Sequence, residues 1–516
     1  MVPSSVAKMS QPWLMLEAFP VVPLSTMGVG MAGTKRARNS SEPIRQLPLE
    51  LLCTPYFLDA LTNYDVVAVM RELLRRFETV TQARLARVLG FDASYINMLV
   101  NPNDKCTIRN IDDIRRVAPL LGVPAELLGP GAEILRDVGG TRALKVWWDA
   151  DPALIVGLME RHIAAEFTRR NTLAAIPVAT GAALTDSLQG WATARPSPLP
   201  KVDDPGHGTI DDEIGRLRDA IQVFREWDFR FGGGLRRRAV VGQLSEVLEM
   251  LNQRHPARVT RQLFSCAAEL ALRVGWMAFD LEHHGVAQHH FTLALRAAKE
   301  GGDSAVGAQV LACMAVQMLH VQQPDDALDL VHLAQYGARR GMTPALESML
   351  YTVEARAYAS LPTPSAERCR RTVELAWKVY GDVDPATEPA AIRFFDKAEL
   401  AGTTSLAMTE LAHHDKGQAE EAASLRLTGI DLLDHTYTRT YAFNLTGLVN
   451  NRILQREPIE ASKVGHSAVK LAHTINSERV NVRLRESASL AMQQFPDMPE
   501  VLEFHDSVAA LSKTAA

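Results

Sequence analysis

GWMAFDLEHHGVAQHHFTLALRAA, residues 275 to 298, is the stretch on which the fold turns. Gly275, Ala278, Ala287, Phe291 and Ala294 recur at a spacing that puts small residues on the facing sides of two consecutive helices. Gly275 lets the first helix lie close to its partner, and Ala287 and Ala294 form the small-residue face of the second. The pattern returns downstream with a period of about 40 residues. Ala315, Ala327, Val331 and Ala334 repeat it, with Pro324 opening the second helix, and Ala357, Cys369, Val373 and Ala376 make a third copy. Weaker copies pair Leu400 to His413 with Gln418 to Leu433, then Tyr441 to Leu454 with Glu460 to Ala472. One such pair is too small to bury its own apolar side, so the pairs must stack. The first helices then line a concave groove suited to a peptide or a protein partner.

The bulk numbers agree with a helical chain. The 516 residues are too many for one compact core and imply roughly three or four domains or a repeat array. A content of 47% hydrophobic and 22% charged residues excludes disorder as a description of the whole. Aromatic residues make up only 6%, which favours helices packed through small residues, and no alternating strand pattern stands out. The expected class is therefore all-α. A net charge of −5 gives no chain-wide bias toward nucleic acid or anionic membrane, so DNA binding requires a local patch. Five scattered cysteines (Cys53, Cys106, Cys266, Cys313, Cys369) without metal or redox spacing read as reduced cytosolic thiols.

Residues 1–48 read as a disordered arm, 49–129 as a compact helical domain, 130–209 as a helical and Pro-rich linker, and 210–510 as the repeat array. The linker carries the PSPLP run at 196–200 and the DDPGHG cluster at 203–208. Two segments imitate targeting signals. Residues 11–32 are apolar but broken by Glu17 and three prolines, which makes a poor signal peptide and no membrane span; translation from Met27 or Met31 would omit much of it. Arg169-Arg170 with the apolar stretch after it imitates a twin-arginine signal but lies far inside the chain. A cytoplasmic protein without membrane attachment is expected.

The strongest local signal is TQARLARVLGFDASYINMLVN, residues 81–101. Thr81 is placed to cap a helix whose inner side is Leu85, Ala86 and Leu89. Gly90 falls where a left-handed turn is needed, which costs a residue with a Cβ about 1 kcal/mol or more. Phe91 enters the core, and Ile96 and Leu99 face inward from a second helix. Ala93, Ser94, Asn97 and Met98 are left on its outer surface.

This unit resembles the lambda- and phage-434-type repressors of the XRE family, whose helix-turn-helix lays its second helix in the major groove. The likeness extends to helices over Asp65–Phe77 and Ile111–Leu121 and to a closing helix in GVPAELLG, residues 122–129. It implies that Gln82 bonds a DNA phosphate, that Ala93, Ser94, Asn97 and Met98 face base edges, and that Asn101 and Arg109 meet the backbone. It also implies a homodimer on a double-stranded operator with paired half-sites. Pro102 departs from the family's usual Gly, and the outer face lacks the Arg that most often reads guanine. Six basic residues against four acidic ones between Thr81 and Arg116 make the patch only weakly positive.

The array resembles tetratricopeptide-like repeats. Runs such as FGGGLRRRAVV (231–241), LFSCAAELALRVGWMAFD (263–280) and GVAQHHFTLALRAAKEGGD (285–303) are similar to actinobacterial, often streptomycete, regulators that fuse the two units. That group is tied to sporulation and antibiotic production, and some members have lost a competent DNA-binding helix. The resemblance implies a transcriptional regulator whose array senses a peptide or protein. The alternative is an adaptor whose vestigial helix-turn-helix serves protein contacts.

Nothing points to catalysis. His283, His284, His289 and His290 cluster at a turn and helix start, where they are expected to be solvated, and no HExxH or Cys partner accompanies them. Phe231-Gly-Gly-Gly-Leu-Arg236-Arg237-Arg238 lacks Walker spacing and reads as a boundary turn before a basic helix start. Trp227 and Trp276 read as core residues. No catalytic residue, metal or cofactor is expected.

Overall fold

The structure is a computed structural model that describes most of residues 43–123, 152–168, most of 178–199, 209–231 and nearly all of 237–511. Nearly all of the N-terminal arm, Cys53, Pro102, Lys105, most of GVPAELLG, Arg169-Arg170, DDPGHG and the Gly232–Arg236 turn lie outside the described residues. Every regular element among the described residues is helical.

The first unit comprises α1 (Leu49–Leu52), α2 (Pro55–Thr62), α3 (Val66–Arg76), α4 (Gln82–Leu89), α5 (Ala93–Val100) and α6 (Ile111–Leu120). Its helices close on a separate hydrophobic core that includes Phe57, Met70, Leu85, Leu89, Ile96 and Leu99. The boundaries follow from local chemistry. Asp65 accepts a hydrogen bond from Ala68 N at 2.9 Å to start α3, and Thr81 Oγ1 accepts one from Arg84 N at 3.2 Å to start α4. Gly90 ends α4 at φ 68°, ψ 31°, the left-handed conformation the turn requires.

The remaining helices form a solenoid-like array. It begins with α7 (Pro152–Thr168), α8 (Thr209–Phe231) and α9 (Arg237–Leu251). Six consecutive pairs follow among the described residues. They are α10 (Ala257–Asp280) with α11 (His284–Gly301), α12 (Ser304–His320) with α13 (Pro324–Ala338), and α14 (Pro344–Ser360) with α15 (Ala366–Tyr380). Next come α16 (Lys397–Ala412) with α17 (Ala419–Leu432), α18 (Thr438–Leu454) with α19 (Pro458–Ala472), and α20 (Glu478–Gln494) with α21 (Pro499–Leu511). The last pair had not been singled out by sequence spacing.

The small residues sit where helices nearly touch. A Cβ on Gly275 would lie 2.7 Å from the Phe291 ring, so only glycine lets α10 and α11 approach this closely. Ala287, Ala294, Ala315, Ala327 and Ala334 are fully buried. Three pairs share one tight turn, with Glu282, Gln322 or Arg456 at φ near +60° in its middle. The amide three residues past the end of each of these first helices returns to its last turn, as from His283 to Ala278 O at 2.9 Å.

Two features go beyond stacking. First, the array curls until α8 packs against α18. Arg439 donates to Asp228 Oδ2 at 3.0 Å and to the Asp228 carbonyl at 2.9 Å, across 211 residues of sequence. Its other nitrogen reaches Asp280 Oδ1 at 3.2 Å. Phe229 completes the seam with ring centroids 5.8 Å from both Phe394 and Tyr437.

Second, the part of the expected linker around 178–199 is docked along the second helices of the array. Ala179 exchanges two hydrogen bonds with the Gln288 side chain, Gly181 N donates to Asp326 at 2.7 Å, and Ser197 N donates to Glu300 at 2.8 Å. Trp191, buried, lies flat on Gly307 and Gly337. A proline-rich composition predicts a tether, but each backbone donor here has met a buried acceptor on the array.

Candidate functional site

Two places carry chemistry. The first is the outer face of α5. Ala93, Ser94, Asn97 and Met98 are all exposed, Met98 to 47%, while Ile96, Leu99 and Val100 turn inward. Gln82 is exposed at the first position of α4, and Arg109 is exposed in the segment before α6. The outer face of α5 therefore presents a mixed polar and apolar surface.

The cations of this unit are largely committed elsewhere. Arg71 donates to the Leu99 carbonyl at 2.9 Å and the Val100 carbonyl at 3.3 Å, closing the C-terminal end of α5. Arg116 closes α4 in the same way through the Leu89 carbonyl at 2.9 Å, with its guanidinium 5.1 Å from the Phe91 ring. Arg84 reaches the Thr79 carbonyl at 3.3 Å. Asn101 is folded into its own turn: its amide donates to Asp104 at 3.1 Å and its oxygen accepts from Asn103 N at 3.1 Å. The Asp104 carboxylate beside it opposes a phosphate at that position. Sequence reasoning counted Arg84 and Arg116 in a basic patch, but backbone carbonyls attract these guanidinium groups first.

The second place is a cavity of about 240 Å³ at the centre of the curled array. The first helix of five consecutive pairs from α12 to α20, together with α10 and the end of α8, contributes to its wall. Trp276, Val316, Val353 and Phe443 supply apolar surface. Arg273, Arg356, Arg426, Arg439, Arg479 and Arg483 supply charge. Asp228 and Asp280, fully buried, hold Arg273, Arg439 and Arg479 from behind. Burial, with neighbouring Arg356 and Arg479, lowers the Arg483 guanidinium to about 9, and burial lowers Arg426 and Arg479 to about 10. Burial, then Asp396, pushes the Glu399 carboxyl up to about 7. Sequence reasoning missed this cavity because its residues come from helices far apart in the chain. An arginine at an inward-facing position of α14, α17, α18 and α20 was the only available signal.

The histidines differ from expectation. His290 is buried, and His162 from α7 stacks on His289 with centroids 3.9 Å apart. Burial, with His289 and His290 alongside, holds His162 well below its usual range, so it stays neutral. His284 Nε2 and His320 Nε2 lie 3.0 and 2.9 Å from Glu282 Oε2, which ties two successive pairs together. Among the described residues, these three have donor atoms close enough together to hold a metal ion. Cys266, Cys313 and Cys369 are raised by burial to about 11 to 12, so they are inert rather than nucleophilic. Trp227 and Trp276 pack against the main core as half-buried rings.

Comparison with protein-family models and with curated proteins gives no match for the chain. Among the described residues, no helix is long and apolar enough to cross a membrane.

Proposed function

We propose that the chain is a cytoplasmic transcriptional regulator rather than an enzyme. In this reading α4 and α5 form a repressor-type helix-turn-helix that binds operator DNA as a dimer. The tetratricopeptide-like array senses a ligand or partner and alters the spacing of the two DNA-binding units. Control of development and secondary metabolism is what the resemblance to streptomycete regulators suggests. The supporting observation is the arrangement around Gly90: a left-handed turn joins two eight-residue helices, and Ala93, Ser94, Asn97 and Met98 form one exposed face. Such a face matches the width of a major groove and the reach of side chains from a helix start.

The test is genome-wide crosslinking immunoprecipitation of the tagged chain against a Gln82→Ala, Ser94→Ala double variant. Discrete peaks that share a motif and vanish in the variant are expected. Both sites are exposed, so the fold is unaffected by truncating them. Peaks that are absent, or that persist unchanged in the variant, would overturn the DNA reading.

A second reading, an adaptor that uses this face for protein contacts, is favoured by one observation. Arg71 and Arg116 close helix ends and Asn101 is bound to Asp104, which leaves few groups for phosphates. With so few phosphates neutralised, operator affinity would fall only shallowly with salt.

A further inference from the structure

Six arginines line the central cavity against four carboxylates, and one of these, Glu399 in the wall itself, is pushed up to about 7 by burial. Asp228 and Asp280 serve Arg273, Arg439 and Arg479, and Glu410 stands 3.4 Å from Arg356. Neither Arg426 nor Arg483 has a carboxylate at ion-pair distance among the described residues. Arg426 is 5% exposed; one nitrogen donates to Asn444 Oδ1 at 3.1 Å, but Nε and Nη2 are buried with no partner. Arg356 Nε is likewise buried and unpartnered. The Arg426 guanidinium lies flat against Gly447, where a Cβ would stand 2.7 Å from its Cζ, so the backbone of α18 is shaped to hold it. Leaving a buried cation such as Arg426 unpaired is strongly unfavourable, and an anion entering the cavity would supply the missing counter-charge.

The rest of the wall mixes apolar residues with Gln309, Thr352, Glu399, Thr403, Thr440 and Asn444, and Arg483 lies over the Phe443 ring at 5.2 Å and Arg479 over Trp276 at 4.9 Å. The volume, about 240 Å³, exceeds the roughly 150 Å³ that admits benzene and falls below the range of about 300–1,000 Å³ that takes drug-sized ligands. That volume suits a small molecule better than an extended peptide. We propose that this cavity is the ligand site of the array and takes a small organic anion, whose carboxylate or phosphate is held by Arg356, Arg426 and Arg483 and whose short apolar body lies against Trp276 and Phe443. The assignment deepens the sensing role proposed above and replaces the groove-bound peptide with a small molecule.

The test uses the purified full chain and thermal unfolding with 3-phenylpropionate, phenyl phosphate and the neutral 3-phenylpropionamide at equal concentration. At least one anion raises the melting temperature, by about 2–3 °C when present at some ten times its dissociation constant. The amide does not. Whichever anion acts identifies the head group. Arg426→Met and Arg483→Met abolish the rise, and Arg483→Met also raises the ligand-free melting temperature because it relieves repulsion among the arginines. Arg340→Met, on the exposed surface, changes neither. The proposal is overturned if the amide matches the anions, if no anion acts, or if the rise survives in the Met variants. Should a Met variant fail to fold, Arg483→Lys keeps the charge without the planar fork, and calorimetric affinity falls about fivefold or more; unchanged affinity overturns the site. No DNA enters these measurements. A chain that responds to anions yet crosslinks to no operator loses the regulatory reading alone, and the reverse result loses the anion site alone.

Discussion

Glu399 shows how a single residue acquires a property from its surroundings. It lies in the cavity wall with Asp396 before it on the chain, and Arg426 and Arg439 are the cations that act on it. Burial outweighs those cations, and its carboxyl rises from 4.5 to about 7. The folded chain then holds this proton more tightly than the unfolded one. Its contribution to stability is complete below about 4.5 and is lost as pH rises through about 7. The melting temperature is therefore expected to fall between about pH 4.5 and pH 7 by a step that Glu399→Gln removes. An identical slope in the variant would show that another group titrates. Nothing in the sequence around Glu399 marks this behaviour, because the burial comes from other helices. Gly90 is the opposite case: its left-handed backbone was legible from the residues on either side of it.

At the scale of elements, two glycines separate local from long-range constraint. Gly90 has open space around it, so its requirement is conformational. Gly337 has an ordinary helical backbone, but a Cβ there would stand 2.0 Å from the Trp191 ring. Gly90→Ala should destabilise the first unit by about 1 kcal/mol, seen in chemical unfolding, and leave tryptophan emission unchanged. Gly337→Ala should displace Trp191 from the array, shifting tryptophan emission to the red and exposing residues 178–199 to protease. Unshifted emission and unchanged cleavage would mean that the segment is held by its hydrogen bonds alone. Helix limits such as Asp65 before α3 and Thr81 before α4 could be read in advance, since a cap and its amide lie three residues apart. The docking of 178–199 could not, because Gln288, Glu300 and Asp326 are more than 100 residues away.

Across the whole molecule, the decisive contact is the seam between α8 and α18. Asp228 is fully buried and is shared by Arg439 and Arg273. Asp228→Asn leaves Arg439 short of a counter-charge in a dry site, a loss of about 3–5 kcal/mol for a broken buried pair. The curl should relax, with a larger radius of gyration in small-angle scattering and a weaker anion response. A compact variant with full anion response would show that the aromatic contacts of Phe229 suffice. An array whose pairs touch only their neighbours gains and loses order locally; in this one α8 is also joined to α18, so the curl and the cavity stand or fall together.

The helical class, the repeat of about 40 residues and the turn at Gly90 were all legible in the chain, because each rests on residues within one or two helices of each other. The curl, the seam at Asp228 and the arginine-lined cavity were not. They depend on small angles between successive pairs that accumulate over some 200 residues, and no local pattern records that sum. Arg426 and Arg483 read as ordinary polar positions on amphipathic helices until the curl brings both to the cavity wall, Arg426 buried and Arg483 half-buried. Folding in three dimensions gathers the wall of the expected groove into a central, arginine-lined cavity.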